Sequence, residues 1–231
     1  MLSSLMHMTS DLMLSFLSDI HHLHLDQVVY DFSPGPAHTL PNATHLNISN
    51  LGIPGDRRGL VLGSAHAPAL THLAVHDPSY PSLMSSHDMF YPDIDALPVH
   101  HLESVVIAEV DPWATSALAE VSPQMGSLKT LTMSGFHSGE VAGDVCDILE
   151  RLPRSLETFD IATASYHAVL VSVFCDIFEE GSASVAELRS LRLPVLTSWR
   201  LPEYVNKVEA MGHLQELASL AEESGVVVEW V

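Results

Sequence analysis

Three histidines, His22, His45 and His72, open segments of one alternating pattern: His-Leu-His-Leu, His-Leu-Asn-Ile and His-Leu-Ala-Val. Twelve of the fifteen histidines lie within residues 1–101, among them His24 and His76, close to the first and third of these segments. Imidazole is the side chain whose ordinary pKa falls near neutrality, and the neutral ring is also a ligand for zinc-like ions. A row of such rings on adjacent strands offers two chemistries. One is a recognition face that gains positive charge below about pH 6, with crowding disfavouring the charged form. The other is metal binding, for which His22, His45 and His72 are weak candidates, because a flat row converges poorly on one tetrahedral point. No metal and no other cofactor is expected.

A second set of polar residues carries hydroxyls: Thr130, Thr132 and Ser134, then Thr158 with Asp160, then Ser190 with Arg192. A hydroxyl nucleophile needs a base within hydrogen-bond reach and an acid orienting that base, and no G-x-S-x-G elbow is present. Gly63-Ser64 after an apolar run has neither the dinucleotide fingerprint nor the P-loop lysine. Catalytic residues are therefore not expected. The tentative binding residues are His22, His24, His45, His72, His76, Thr130, Thr132, Thr158, Asp160 and Arg192.

All of these residues sit in one repeated frame. The hexamer L-x-x-L-x-L occurs at Leu128–Met133, Leu156–Ile161 and Leu188–Leu193, and the same frame fits Ile20–Leu25, Ala43–Ile48, Leu70–Val75 and Leu102–Ile107. Side chains alternate along a strand, so the fourth and sixth positions share the buried face while the third, fifth and seventh point to the open one. The first position closes the turn into the strand. A lone strand and helix cannot bury both faces, whereas stacked parallel units can. The spacing of the units matches one strand plus one helix each. The pattern predicts a leucine-rich-repeat-like α/β solenoid of about eight units, with a parallel sheet on the concave face and helices on the convex face. Residues 1–231 are expected to form one domain.

Helices are expected over residues 9–18, from Asp111-Pro112 with Leu118 and Val121 in its buried stripe, and from Ser138 through Ile148, Leu149 and Leu152 to the stop at Pro153. Another spans Tyr166–Phe178, apolar nearly all round and so deeply buried. The last runs from Pro202 to about Glu223, and Gly225 leads into a final strand, Val226–Trp230. Asp77–Val99, with four prolines, reads as a long surface loop.

The run Leu149-x-x-Leu152-Pro153-Arg-Ser155-Leu156-Glu-Thr-Phe159-Asp-Ile161, with a terminal helix entering Gly225-Val-Val-Val-Glu-Trp230, resembles the leucine-rich-repeat part of fungal F-box proteins. That resemblance implies the substrate-binding repeats of a ubiquitin-ligase receptor, whose F-box binds a Skp1-type adaptor. No F-box pattern stands ahead of residue 20, so adaptor binding is not expected of these residues. Where many such repeats carry a ladder asparagine, this chain has Val28, Leu51, Pro78, Val110, Phe136, Ala164 and Leu196, so irregular apolar turns are expected.

Composition bounds the partners. Twenty-nine acidic against nine basic residues give a formal charge of −20, which disfavours nucleic acid and anionic membranes, since phosphate contacts need lysine and arginine. A partner selected by charge is expected to be basic. Cys146 and Cys175 fall in different helices without metal-ligand spacing, and no run reaches the roughly 20 apolar residues of a membrane span. Residues 1–18 lack a basic start, so no secretory signal is expected and the compartment reads as cytoplasm or nucleus. The combined reading is a non-catalytic protein-interaction module. The alternatives are a histidine-based metal- or pH-responsive binding module and a doubly wound α/β enzyme, which strand–helix alternation also fits.

Overall fold

The computed structural model describes residues 19–26, 40–49, 67–76, 99–108, 118–119, 121–134, 148–162, 168–181, 187–195 and 206–231. The helix expected over 9–18, most of the Asp77–Val99 loop, the helix starts at Asp111, Ser138 and Pro202, Cys146 and the seven irregular turn positions lie outside them. The chain falls into two compact units, Met1–Leu102 and Glu103–Val231.

The first unit contains three five-residue strands, β1 (His22–Asp26), β2 (His45–Ser49) and β3 (His72–His76). They are parallel and ordered β1-β2-β3, with His22 opposite His45 and His45 opposite His72. The second unit contains β4 (Ser104–Ile107), β5 (Thr130–Ser134), β6 (Thr158–Ala162), β7 (Ser190–Leu193) and β8 (Val227–Trp230). These also run parallel in chain order, pairing Val105, Leu131, Phe159, Leu191 and Val228 across the strands. Both units are α/β or β segments built on parallel pairing, in the register that the hexamer frame requires.

Five strands, β2 to β6, are entered in the same way. The N–H of the first-position residue donates to the carbonyl three residues earlier: Ala43 to Leu40, Leu70 to Ala67, Leu102 to Val99, Leu128 to Met125 and Leu156 to Pro153. The second-position carbonyl then accepts from both the second and third N–H of the following strand, as His21 does from Thr44 and His45 at 2.9 and 3.0 Å. Thr44, Glu103, Lys129 and Glu157 repeat that bifurcated arrangement. The turn and the first ladder bond therefore recur as one device, satisfying backbone groups that the irregular returns would otherwise leave unpaired.

Alternation separates the two faces. Leu46, Leu73, Val105, Ile107, Leu131, Met133, Phe159, Ile161, Leu191 and Leu193 are buried, as are Leu70, Leu102, Leu128, Leu156 and Leu188 at the first position. The frame weakens at its ends. Ile20 just before β1, Leu23 on β1 and Val228 on β8 are half-buried, and Trp230 is 37% exposed. Each terminal strand has a pairing neighbour on one side only among the described residues, which accounts for its incomplete cover.

Two helices of the second unit are described in full. Helix α1 (Ala168–Glu179) has no glycine or proline, and ends at Gly181, whose φ of 61° places it in the left-handed region that suits a helix C-terminus. It buries Val171, Phe174, Ile177 and Phe178, and the Phe174 ring lies 5.6 Å from Phe159. That contact puts α1 on the fourth- and sixth-position face, and the aromatic pair contributes about 0.5–1.5 kcal/mol beyond its buried area. Its expected all-round burial is corrected, because Ser172, Asp176 and Glu179 form an exposed side. Helix α2 (Lys207–Glu223) is capped by Asn206, whose side chain accepts from the Val208 N–H at 2.9 Å. Ala210, Leu214, Leu217 and Ala221 are its buried stripe, packed against α1 and β8. Leu118, Ala119 and Val121 are helical and buried, as are Ile148 and Leu149.

Candidate binding face

In the second unit the third-, fifth- and seventh-position side chains occupy the face opposite α1. In the first unit the third positions carry a column of imidazoles. The rings of His22 and His45 stack with centroids 4.0 Å apart and planes at 25°, and those of His45 and His72 at 4.0 Å and 10°. Register makes this possible, because it brings three third-position rings together on adjacent parallel strands. His24 pairs in register with Asn47 and His76 with Ser49, so neither belongs to the stack. A second imidazole pair, His100 and His101, is exposed in the short 3-10 turn Val99–His101.

Two threonines orient the stack. The Thr44 hydroxyl donates to the His21 carbonyl at 3.1 Å, and that of Thr71 to the Thr44 carbonyl at 3.1 Å. Each hydroxyl also lies close to the next residue's ring, 3.0 Å from His45 Nδ1 and 2.8 Å from His72 Nδ1. A hydroxyl has one proton, for which the carbonyl and the ring nitrogen compete; where the carbonyl takes it, Nδ1 is the donor and the Nε2 atoms of His45 and His72 retain the lone pair. Burial first, then the neighbouring His72 and His22, hold the His45 imidazole below the usual histidine range. The expected effect of crowding is present, but desolvation exceeds it.

Nucleophile activation needs the hydroxyl proton to pass to the ring, and in each pair a backbone carbonyl 3.1 Å from the hydroxyl competes for that proton. Metal ligation meets a similar obstacle. Ring-plane lone pairs in a stacked column lie side by side and do not converge, and among the described residues no group of three or more His, Cys, Asp or Glu is placed to hold an ion.

In the second unit the third positions form a hydroxyl row, Ser104, Thr130, Thr158 and Ser190, ended by Val227. The fifth positions are Val106, Thr132, Asp160, Arg192 and Glu229. Arg192 Nε donates to Glu229 Oε2 at 2.8 Å, and its Nη1 lies 3.8 Å from Asp160 Oδ2. The guanidinium expected as an anchor for a partner is thus committed within the chain. Burial lifts the Asp160 carboxyl above the usual carboxylate range, Arg192 opposes that, and Glu229 adds to it. Asp160 Oδ1, Ser190 Oγ and, in the first unit, Asn47 Oδ1 are buried without a hydrogen-bond partner.

The second positions add an alternating charge row, Glu103, Lys129, Glu157 and Arg189, with Lys129 Nζ 2.9 Å from Glu103 and Arg189 3.9 Å from Glu157. Cys175 is half-buried in α1, and burial and nearby carboxylates push its thiol up to about 11, leaving it protonated and unreactive at neutral pH. All ten expected binding residues fall on the third, fifth or seventh positions; His22, His45 and His72 interact directly, as separately do Asp160 and Arg192. Thr44, Thr71 and Glu229 were missed. The signal for the threonines was present, since Thr-His-Leu occurs at residues 44–46 and again at 71–73.

No helix among the described residues is long and apolar enough to cross a membrane. Comparison with protein-family models, curated proteins and solved structures finds no match for the chain.

Proposed function

We propose that the chain is a leucine-rich-repeat-like solenoid acting as a non-catalytic protein-interaction module, similar to the substrate-binding repeats of an F-box ubiquitin-ligase receptor. The observation that carries this reading is the pairing of consecutive repeats in register within each unit, which aligns polar third and fifth positions into rows, in the second unit on the face opposite α1. Extended faces of this kind bind by area and shape complementarity. The buried, unpartnered Asp160 Oδ1 and Ser190 Oγ add acceptors that a partner's donors would satisfy. Strand order within each unit follows the chain without reversal, which disfavours a doubly wound enzyme, where ligands bind at the reversal point.

The test is affinity purification from the source cells with mass spectrometry, comparing the wild type with Thr132→Arg/Thr158→Arg. Partners should be lost from the variant while its urea midpoint stays close to that of the wild type. An unchanged partner set would sink the reading. Purified Skp1-type adaptor should not bind these residues, and tight binding would require an adaptor surface other than an F-box.

A further inference from the structure

We propose that the His22–His45–His72 stack is a docking stripe for a basic segment of a partner protein, held through arginine or lysine at neutral pH and released when the rings take up protons. The inference deepens the protein-binding reading and rests on it. Its first support is the stack itself, with a threonine hydroxyl at Nδ1 of His45 and of His72. In the tautomer that donates from Nδ1 to Thr44 and Thr71, the Nε2 atoms are hydrogen-bond acceptors on adjacent strands, and acceptors select donors. A guanidinium presents several donors in one plane and stacks readily on ring systems, which suits a column spaced at 4.0 Å.

Charge is the second support. Residues 1–102 contain nine aspartates, two arginines and twelve histidines, so their formal charge is −7 with the rings neutral and +5 with all of them protonated. Residues 103–231 contain twenty acidic and seven basic residues against three histidines, and stay negative throughout. Acidification therefore reverses the sign of the first unit, and protonation converts each Nε2 from an acceptor to a donor. Both changes eject a cation. The titratable groups on the strands packed against His45 are His22 and His24 on β1 and His72 and His76 on β3, with Asp26 at the seventh position of β1. The other aligned residues, Asn47 and Ala74, do not titrate. Burial and the two flanking rings resist charging of His45, which places its contribution to release below the ordinary histidine range.

The experiment uses the full chain and a fluorescein-labelled hexa-arginine peptide as probe. Long-range proton–nitrogen NMR should first find His45 and His72 protonated at Nδ1 and bare at Nε2, and the probe should shift those resonances at about pH 7.5. Binding measured by anisotropy should weaken about tenfold by pH 5.5, the change that one unit of linked pKa carries. His45→Val/His72→Val should bind more weakly at the higher pH and lose most of the pH response. His100→Gln/His101→Gln, which changes as many imidazoles off the stack, should behave as wild type. The Nε2–H tautomer, probe-insensitive ring resonances, or a stack variant with wild-type affinity and pH response would each overturn the proposal. The NMR readouts need no variant, so misfolding of the double mutant does not shelter it. Partner loss from Thr132→Arg/Thr158→Arg bears on the broader reading alone.

Discussion

One hydroxyl proton decides what the histidine column presents. When Thr44 gives it to the His21 carbonyl, His45 donates from Nδ1, and Thr44→Val would release the ring to either tautomer. The linked stability follows from the depressed folded pKa of His45. Above the unfolded value of about 6.5 both states are neutral and the stability is intact; as pH falls from there through the folded value the unfolded chain binds the proton first and stability is lost. Urea midpoints recorded across that window should fall less steeply for His45→Asn than for the wild type, and equal slopes would refute the linkage. Asp160 carries the opposite sign. Its folded pKa is raised, so its contribution is fully present only below the unfolded value and declines as pH rises through the folded one, leaving an ionised carboxylate at neutral pH at a cost. Asp160→Asn should therefore be neutral or stabilising at pH 7, although it removes a partner of Arg192. Glu229→Gln should cost only about 0.2–1 kcal/mol, because Arg192 and Glu229 are each 43% exposed and their 2.8 Å pair is screened. A clear drop in midpoint for Asp160→Asn would show that Arg192 outweighs the desolvation.

At the scale of the strand, alternation makes adjacent residues differ sharply. Leu131→Asp places an unpaired charge on the fully buried fourth position and should cost at least about 3 kcal/mol, whereas Thr132→Asp on the neighbouring open position should change the midpoint little. Equal midpoints would contradict the register. Ser122, the buried polar residue among those described, has its Oγ 3.3 and 3.2 Å from the carbonyls of Ala119 and Arg151, which share its one proton, and so ties one return segment to the next. Ser122→Ala should cost about 1–2 kcal/mol by removing that donor. This is also where the limits of legibility lie. The hexamer frame located the paired strands because burial with period two is written locally in Leu23, Leu46, Leu73, Leu131 and Leu191. It did not place β8 in the frame, since Gly-Val-Val-Val-Glu-Trp lacks leucine, and without that register Glu229 could not be seen opposite Arg192. The threonine–carbonyl bonds were hidden for a different reason: each hydroxyl reaches a carbonyl in the preceding repeat, 23 or 27 residues away. Proline at residue 202 signalled a helix, yet Asn206 is the cap of the described α2, because a side-chain acceptor for the Val208 N–H outranks the breaker.

For the whole molecule, stacked repeats predict graded stability, since each repeat is held by its neighbours and by whatever covers its buried face. The described strands differ in both respects. Leu131, Phe159 and Leu191 are fully buried and each stands on a strand with partners on both sides, and Phe159 is further covered by Phe174 of α1. On β1, by contrast, Leu23 is half-buried and the described pairing is to β2 alone. Imidazole charging adds to the difference, because the stack that becomes self-repelling on acidification lies in residues 1–102, while the alternating row Glu103, Lys129, Glu157 and Arg189 keeps opposite charges adjacent across β4 to β7. Native-state hydrogen exchange should therefore find the ladder amides of β5, β6 and β7 the slowest, opening only with global unfolding, and those of β1 faster by sub-global opening. Lowering the pH to about 5.5, with exchange rates corrected for the intrinsic pH effect, should widen the gap by loosening β1 to β3 first. Uniform protection across β1 to β7 at both pH values would mean that the chain opens as one cooperative block, and that the histidine column is not the weak layer of the stack.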